Sequence, residues 1–103
     1  MEKISSQVNG KYLLTDGNKI GILLLLHESK EIPSHRLLSV NNNYHIVKQA
    51  AVELRNTGLI KSTKVGTRVS WTLTDEGKVV ADRLWSAETS FKRRVDCPKY
   101  YKE

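Results

Sequence analysis

Amide and basic side chains in the middle of this 103-residue chain have the chemistry needed to bind a nucleic acid. Asn43, Lys48 and Gln49 can hydrogen-bond the edges of base pairs, because amide and cationic groups distinguish the donors and acceptors exposed there. Tyr44 and His45 lie beside them in the sequence and can contact either bases or the sugar–phosphate backbone. The types and spacing of these residues therefore indicate recognition of a polyanion.

Basic residues continue on both sides of this stretch. They are Arg36, Arg55, Lys61, Lys64 and Arg68. We expect the first two to contact phosphates, and the last three, around the flexible Gly66, to follow the DNA backbone or to place an arginine in a narrow minor groove. Residues 31–73 carry 6 Lys and Arg against 2 Asp and Glu, so they hold four of the six excess positive charges of the chain.

The sequence gives no support for catalysis. It contains no nucleophile elbow and no glycine-rich phosphate loop. The acids near the C-terminus fall along one predicted helix without an obvious cleft, and they are Asp75, Glu76, Asp82 and Glu88. We therefore predict that the protein is not an enzyme.

Histidine and cysteine are too scattered for a metal site. His27, His35, His45 and the single Cys97 lack the clustered spacing of zinc ligands, so we predict no metal and no other cofactor. One cysteine cannot form an intrachain disulfide, and the chain opens without a charged leader followed by an apolar core. The longest apolar run, Ile22–Leu26, is far shorter than the roughly 20 residues that cross a bilayer. These features predict a cytoplasmic protein that does not bind a membrane.

Hydrophobic periodicity and capping residues predict an α+β chain that is mostly helical. Asn9-Gly10 is typical of a tight turn, but residues 1–14 are compatible with a hairpin, an ordered arm or a short first helix. The elements predicted after them are a helix from the Asp16 cap to about Ser29, an extended link Glu31–Pro33, a helix His35–Val40 capped by Ser34, a helix Tyr44–Thr57 ended by Gly58, strands Leu59–Ser62 and Arg68–Leu73 joined by the loop Lys64–Thr67, and a last helix begun by Thr74-Asp75-Glu76.

The helix predicted over Tyr44–Thr57 has one apolar and one polar face. The residues spaced for the core are Val47, Ala50, Ala51 and Leu54. The residues expected on the other, polar and basic side are His45, Lys48, Gln49, Val52 and Arg55. In the predicted strand Arg68–Leu73, apolar and polar residues alternate, and we expect Val69, Trp71 and Leu73 to face inward. We interpret Trp85 and His27 as packing residues.

The first and last predicted helices carry more apolar surface than a chain of this length is expected to cover, which favours a homodimer. The first helix has a second apolar face beside that of Ile20, Leu23 and Leu24. The last helix has apolar residues at spacings of four, three and four, typical of the seam of a helix pair. The predicted dimer interface is Ile22, Leu25, Leu26, Val80, Leu84, Ala87 and Phe91.

The order of these elements resembles the winged helix-turn-helix. The third helix ends in Leu54-Arg55-Asn56-Thr57-Gly58-Leu59-Ile60, and the hairpin closes in Trp71-Thr72-Leu73-Thr74-Asp75-Glu76-Gly77. This pairing within residues 34–77 is similar to MarR-type regulators and their small prokaryotic and archaeal relatives. The resemblance implies a three-helix core with a β-hairpin wing and a C-terminal dimerisation helix. It also implies a sequence-specific, DNA-binding transcriptional regulator that acts as a repressor.

On this interpretation the chain divides into four parts: an N-terminal arm (1–15), a winged helix-turn-helix domain (16–77), a C-terminal helix for dimerisation (78–94) and a tail (95–103). The predicted partners are double-stranded DNA and a second copy of the chain, and nothing in the sequence indicates a small-molecule effector. The alternative is a winged-helix module that binds another protein and no DNA. Such a module has no need for basic residues in the turn, the helix and the wing together.

Overall fold

Three α-helices, two 3₁₀ segments and a three-stranded sheet make up the part of the chain that the computed structural model describes, residues 13–95. The elements in chain order are a 3₁₀ turn (Leu13–Thr15), α1 (Gly17–Ser29), β1 (Glu31–Pro33), a 3₁₀ helix (Ser34–Ser39), α2 (Tyr44–Asn56), β2 (Ile60–Val65), β3 (Arg68–Leu73) and α3 (Asp75–Val95). The turn predicted at Asn9-Gly10 and the tail with Cys97 lie outside the described residues.

Capping side chains begin two of these helices as the sequence predicts. The carboxylate of Asp16 accepts hydrogen bonds from the backbone N–H groups of Asn18 and Lys19, at 3.1 and 3.2 Å. The hydroxyl of Thr74 accepts one from the N–H of Gly77 at 3.0 Å. These bonds satisfy donors that the first turn of a helix leaves without a partner.

The sheet contains one strand, β1, where the sequence predicts only an extended link. The strand order is β1-β3-β2, and Ile32 of β1 lies opposite Trp71 of β3. The hairpin is also longer than expected, because β2 and β3 pair as far as Val65 and Arg68. The predicted loop Lys64–Thr67 is therefore wrong, and a two-residue turn replaces it in which Gly66 has a φ of +64°. Glycine adopts this left-handed conformation at little cost.

The predicted helix His35–Val40 is a 3₁₀ helix, and the prediction that Ser34 caps it is wrong. Its N-cap is Pro33, which forms no side-chain capping bond. The hydroxyl of Ser34 instead accepts a hydrogen bond from Trp71 Nε1 at 2.9 Å and donates to the carbonyl of Val69 at 3.4 Å. A buried indole N–H needs an acceptor, and Ser34 supplies it.

The core lies between the helices and the inner face of the sheet. The four residues predicted for the core face of α2 are buried, as expected, and Trp71 is 1% exposed. Val52 is half-buried and packs against the core, so its assignment to the polar face is wrong. The largest fully buried side chains are Trp71, Ile22, Leu23, Leu26, Ile32, Leu37, Leu54, Ile60 and Val47.

The second apolar face predicted for α1 is covered by the chain itself. Ile22 and Leu26 are both 0% exposed, so their assignment to a dimer interface is wrong. Leu25, Val80 and Leu84 are half-buried and pack against the core. The rest of the same chain therefore buries most of the apolar surface of α1.

The first turn of α3 packs closely on the link between α2 and β2. Thr74 Oγ1 donates to the carbonyl of Gly58 at 2.6 Å, and Thr74 N donates to that of Leu59 at 3.1 Å. Gly77 lies so close to the same segment that a Cβ atom there would overlap the carbonyl oxygen of Leu59. Only glycine fits at this point of the helix.

We predict that Gly77→Ala lowers the free energy of unfolding by about 1–3 kcal/mol, the usual effect of overpacking, because backbone atoms must move to admit the methyl group. Gly17→Ala is the matched control, since a Cβ there has nothing within 4 Å. The control should leave stability unchanged or raise it by up to about 1 kcal/mol. Urea unfolding of both variants measures this, and equal midpoints would contradict the close approach.

Candidate functional site

The turn before α2 is built from asparagine side chains. Asn41 Oδ1 accepts a hydrogen bond from the backbone N–H of Asn43 at 2.8 Å. Asn43 Oδ1 in turn accepts from the N–H groups of His45 and Ile46, at 3.1 and 3.3 Å, and so caps the helix. Asn43 is predicted to contact a base, but its side-chain oxygen already forms the N-cap of α2.

The exposed side of α2 presents several of the residues predicted to bind DNA. Tyr44, His45 and Gln49 are exposed, and Lys48 is half-buried. Lys48 Nζ lies 5.7 Å from the centre of the Tyr44 ring, within the range of a cation–π contact. Asn56 is also exposed near the end of the helix. With Arg55 near its end, this helix thus carries two cations, two amides, a phenol and an imidazole.

Gln49 is linked to α1 through two residues that the sequence analysis did not single out. Its Nε2 donates to Glu53 Oε2 at 3.1 Å, and Lys19 Nζ lies 2.9 Å from Glu53 Oε1. Lys19 Nζ is also 3.7 Å from Asp16 Oδ2. The hydrogen bond from Lys19, followed by that from Gln49, holds the pKa of the Glu53 carboxyl below its ordinary value. The carboxylate is therefore charged at neutral pH.

Arg55 joins the end of α2 to the sheet. Its Nη1 donates to Ser62 Oγ at 3.3 Å, and its Cζ lies 6.0 Å from the centre of the Trp71 ring. The residue is nonetheless exposed, so its remaining donors face solvent. Arg36 is exposed too, on the 3₁₀ helix that precedes the turn.

The wing, Ile60–Leu73, places two predicted contacts at its tip and one elsewhere. Lys64 and Arg68 are exposed on either side of the turn, beside Val65, which is 72% exposed. Lys61 alternates with Ser62 and so lies on the face of the sheet that points away from α2. There it lines a cleft of about 630 Å³ together with His27. By the same alternation Arg68, which lies opposite Val65, shares the face of Lys61, whereas Lys64 shares the face of Ser62. The wing therefore divides its three predicted contacts between its two faces.

The predicted cations form no ion pairs with acidic side chains of the described residues. None of Arg36, Lys48, Arg55, Lys61, Lys64 and Arg68 forms an ion pair within residues 13–95. The carboxylate of Glu53 on α2 is already matched by Lys19. The surface around α2 and the wing tip consequently carries uncompensated positive charge, which attracts a polyanion.

His27 and Trp85 lie outside this surface, between α1 and α3. Their rings stack at 4.9 Å, and His27 Nε2 donates to Asp82 Oδ1 at 2.8 Å. No group of three histidine, cysteine or acidic side chains is arranged to hold a metal ion in the part of the chain described. In that same part, no helix is long and apolar enough to span a bilayer.

We predict that Asn43→Ala lowers the free energy of unfolding by about 1 kcal/mol, because the first turn of α2 loses its cap. Asn43→Asp keeps an oxygen at the same position and is expected to retain most of the stability. Thermal unfolding followed by circular dichroism compares the two variants. If Asn43→Ala melts like the unmodified protein, the cap does not contribute to stability.

Comparison with known proteins gives matches among solved structures only, since no family model and no curated protein matches the chain. The transcriptional regulator homologue from Pyrococcus horikoshii OT3 is 22% identical with a TM-score of 0.66, and the match covers 93% of this chain and 99% of that one. HlyU from Vibrio cholerae N16961 is 26% identical with a TM-score of 0.62, and the match covers 82% and 94%.

A longer protein has the same arrangement of elements. The MarR family transcriptional regulator from Silicibacter pomeroyi DSS-3 is 16% identical with a TM-score of 0.71, and the match covers 89% of this chain but 63% of that one. The present chain thus corresponds to under two thirds of its length. The predicted α+β architecture, with a hairpin wing and a C-terminal helix, is confirmed. The chain has the winged helix-turn-helix fold found in these transcriptional regulators.

Proposed function

We propose that this protein is a sequence-specific transcriptional regulator that binds double-stranded DNA through α2 and the wing. The observation that carries the proposal is the set of unpaired cations around α2 and the wing tip. Several neutralised phosphates supply most of the affinity of proteins for DNA, and such cations can neutralise them. The similar structures support it, because they include a transcriptional regulator homologue and a MarR family transcriptional regulator.

The dimensions of α2 suit the major groove. A helix with its side chains is about 10–12 Å wide, and the major groove of B-DNA is about 12 Å wide. The first turns of a recognition helix lie deepest in helix-turn-helix complexes, so Tyr44, His45, Lys48 and Gln49 would reach base edges. Lys64 and Arg68 would then contact the adjacent backbone or minor groove.

The proposal includes a homodimer, for which the far end of α3 provides the surface. The stripe that begins with the half-buried Val80 and Leu84 continues to Ala87 and Phe91, which are exposed. Phe91 is 64% exposed. A second copy of the chain packed against this end of α3 would bury its ring. Two copies related by a two-fold axis would read half-sites about 34–36 Å apart on a near-palindromic site.

We further propose that the dimer is a repressor located in the cytoplasm. A bound dimer excludes other proteins from the base pairs that it covers, so it competes with the transcription machinery wherever its site overlaps a promoter. A prokaryotic regulator of this kind acts where its DNA lies, which is the cytoplasm. Fusion of the identified site to a reporter gene measures the direction of regulation.

We predict that Phe91→Arg shifts the protein towards the monomer by at least tenfold in dissociation constant, about 1.4 kcal/mol, because a charge replaces apolar contact area at the seam. Light scattering across a dilution series measures the change. Val65→Asp is the control, since Val65 is equally apolar and exposed but lies at the wing tip. Dissociation by both variants, or a monomer in the unmodified protein, contradicts the proposed interface.

DNA binding itself is tested by fluorescence anisotropy with a mixed-sequence duplex at several salt concentrations. We predict a steep loss of affinity with salt. In Lys64→Ala and in Arg68→Ala, the slope of log affinity against log salt concentration should become shallower by about 0.9 for each phosphate contact removed. Arg83→Ala, an exposed cation of α3, is the matched control and should keep the slope. No binding at low salt would falsify the proposal.

One observation favours the alternative, a module that binds a protein partner. Leu38, Tyr44 and Ile46 are 41%, 41% and 46% exposed on or near the same surface. Apolar side chains of this size are common at the centre of protein interfaces. A partner protein bound through α2, with no DNA affinity, would establish this alternative.

A further inference from the structure

Four side chains form a continuous path from the start of α1 to the exposed side of α2. Asp16 pairs with Lys19, Lys19 with Glu53, and Glu53 accepts a hydrogen bond from Gln49. The side chain of Lys19 is only 12% exposed, whereas that of Glu53 is 44% exposed. The path thus passes through a well-packed cation, Lys19, and ends at the exposed side chain of Gln49.

The charge on Glu53 fixes the orientation of the Gln49 amide. An ionised carboxylate has no proton to donate, so it accepts hydrogen bonds only. The amide group of Gln49 must therefore turn its NH₂ towards Glu53, and its carbonyl oxygen points elsewhere. Without Glu53, the two ends of the amide would be free to exchange places.

Lys19 makes this arrangement compatible with a DNA-binding surface. An unpaired carboxylate on a helix that approaches phosphates would be repelled, and like charges at short range oppose binding. The 2.9 Å contact from Lys19, which also lies 3.7 Å from Asp16, offsets part of that charge and leaves one carboxylate oxygen to hold Gln49. Asn41 Nδ2 also donates to Asn18 Oδ1 at 3.1 Å, so the start of α1 holds the turn before α2 as well.

We infer that Glu53, paired with Lys19, is a positioning residue that presents the carbonyl oxygen of Gln49 to a base bearing an exposed amino group. In the major groove, adenine N6 and cytosine N4 are such donors, whereas guanine and thymine present acceptors at the corresponding positions. The base read by Gln49 is therefore adenine or cytosine. This inference rests on the proposed function and specifies how that site discriminates between bases.

The test is selection from a library of randomised duplex DNA, followed by sequencing, with the unmodified protein, three single variants and one double variant. Gln49→Ala identifies the position that Gln49 reads, because its base preference there is lost. Glu53→Gln keeps the size of the side chain but lets either end of the Gln49 amide face outward. Glu28→Gln, at an exposed acid of α1, is the matched control for loss of one negative charge.

We expect the unmodified protein and Glu28→Gln to favour adenine or cytosine over guanine and thymine by about tenfold at that position. Glu53→Gln should reduce this preference to below about threefold, and the double variant with Gln49→Ala should resemble Gln49→Ala alone. An unchanged preference in Glu53→Gln overturns this inference but leaves DNA binding intact. No enrichment by the unmodified protein overturns the proposed function and this inference with it.

A second measurement needs no DNA. In nuclear magnetic resonance spectra, the side-chain NH₂ signals of Gln49 should shift in Glu53→Gln and stay in place in Glu28→Gln. Lys19→Met should raise the pKa of Glu53 towards its ordinary value, because the largest cause of its lowering is removed. Unchanged NH₂ signals in Glu53→Gln would show that Glu53 does not hold Gln49.

Discussion

The buried indole of Trp71 is the contact on which the arrangement of the other elements depends. Its strand β3 is the middle strand of the sheet, so Trp71 lies opposite Ile32 on one side and Ser62 on the other. Its N–H donates to Ser34, the first residue of the 3₁₀ helix, and the guanidinium of Arg55 lies over its ring. An unsatisfied buried N–H costs about 1–3 kcal/mol, so the ring fixes where the 3₁₀ helix meets the sheet.

The sequence predicts those parts of the fold that depend on neighbours in the chain. The spacing of Val47 to Leu54 identifies the core face of α2, and Asp16 and Thr74 begin their helices as expected. Two of the errors concern partners that are distant in sequence. Ser34 bonds a tryptophan 37 positions away, and β1 becomes a strand only because β3 lies beside it. No local pattern carries that information.

In the candidate site too, the sequence indicates local contacts but not contacts between residues distant in the chain. The basic side chains were found from the sequence because exposure follows from helical and strand periodicity. Glu53 was within reach of that reasoning, since it lies four positions after Gln49 on one helix, where side chains meet. Lys19 was not, because its contact with Glu53 joins two helices that approach only in the folded chain. The cleft that Lys61 lines was not predictable either, because α1 and α3 meet the sheet there only in the folded chain.

The contacts that orient α2 also decide how the proposed dimer could change its affinity for DNA. α1 holds the turn before α2 through Asn18 and the later part of α2 through Lys19, and the sheet holds the end of α2 through Arg55. The segment after it is fixed against the first turn of α3, where Gly77 leaves no space for a side chain. Since α2 is tied to its neighbours at both ends, it moves with them and not alone. In a dimer joined through α3, a change in the angle between two α3 helices would therefore alter the distance between the two α2 helices, and with it the fit to successive major grooves.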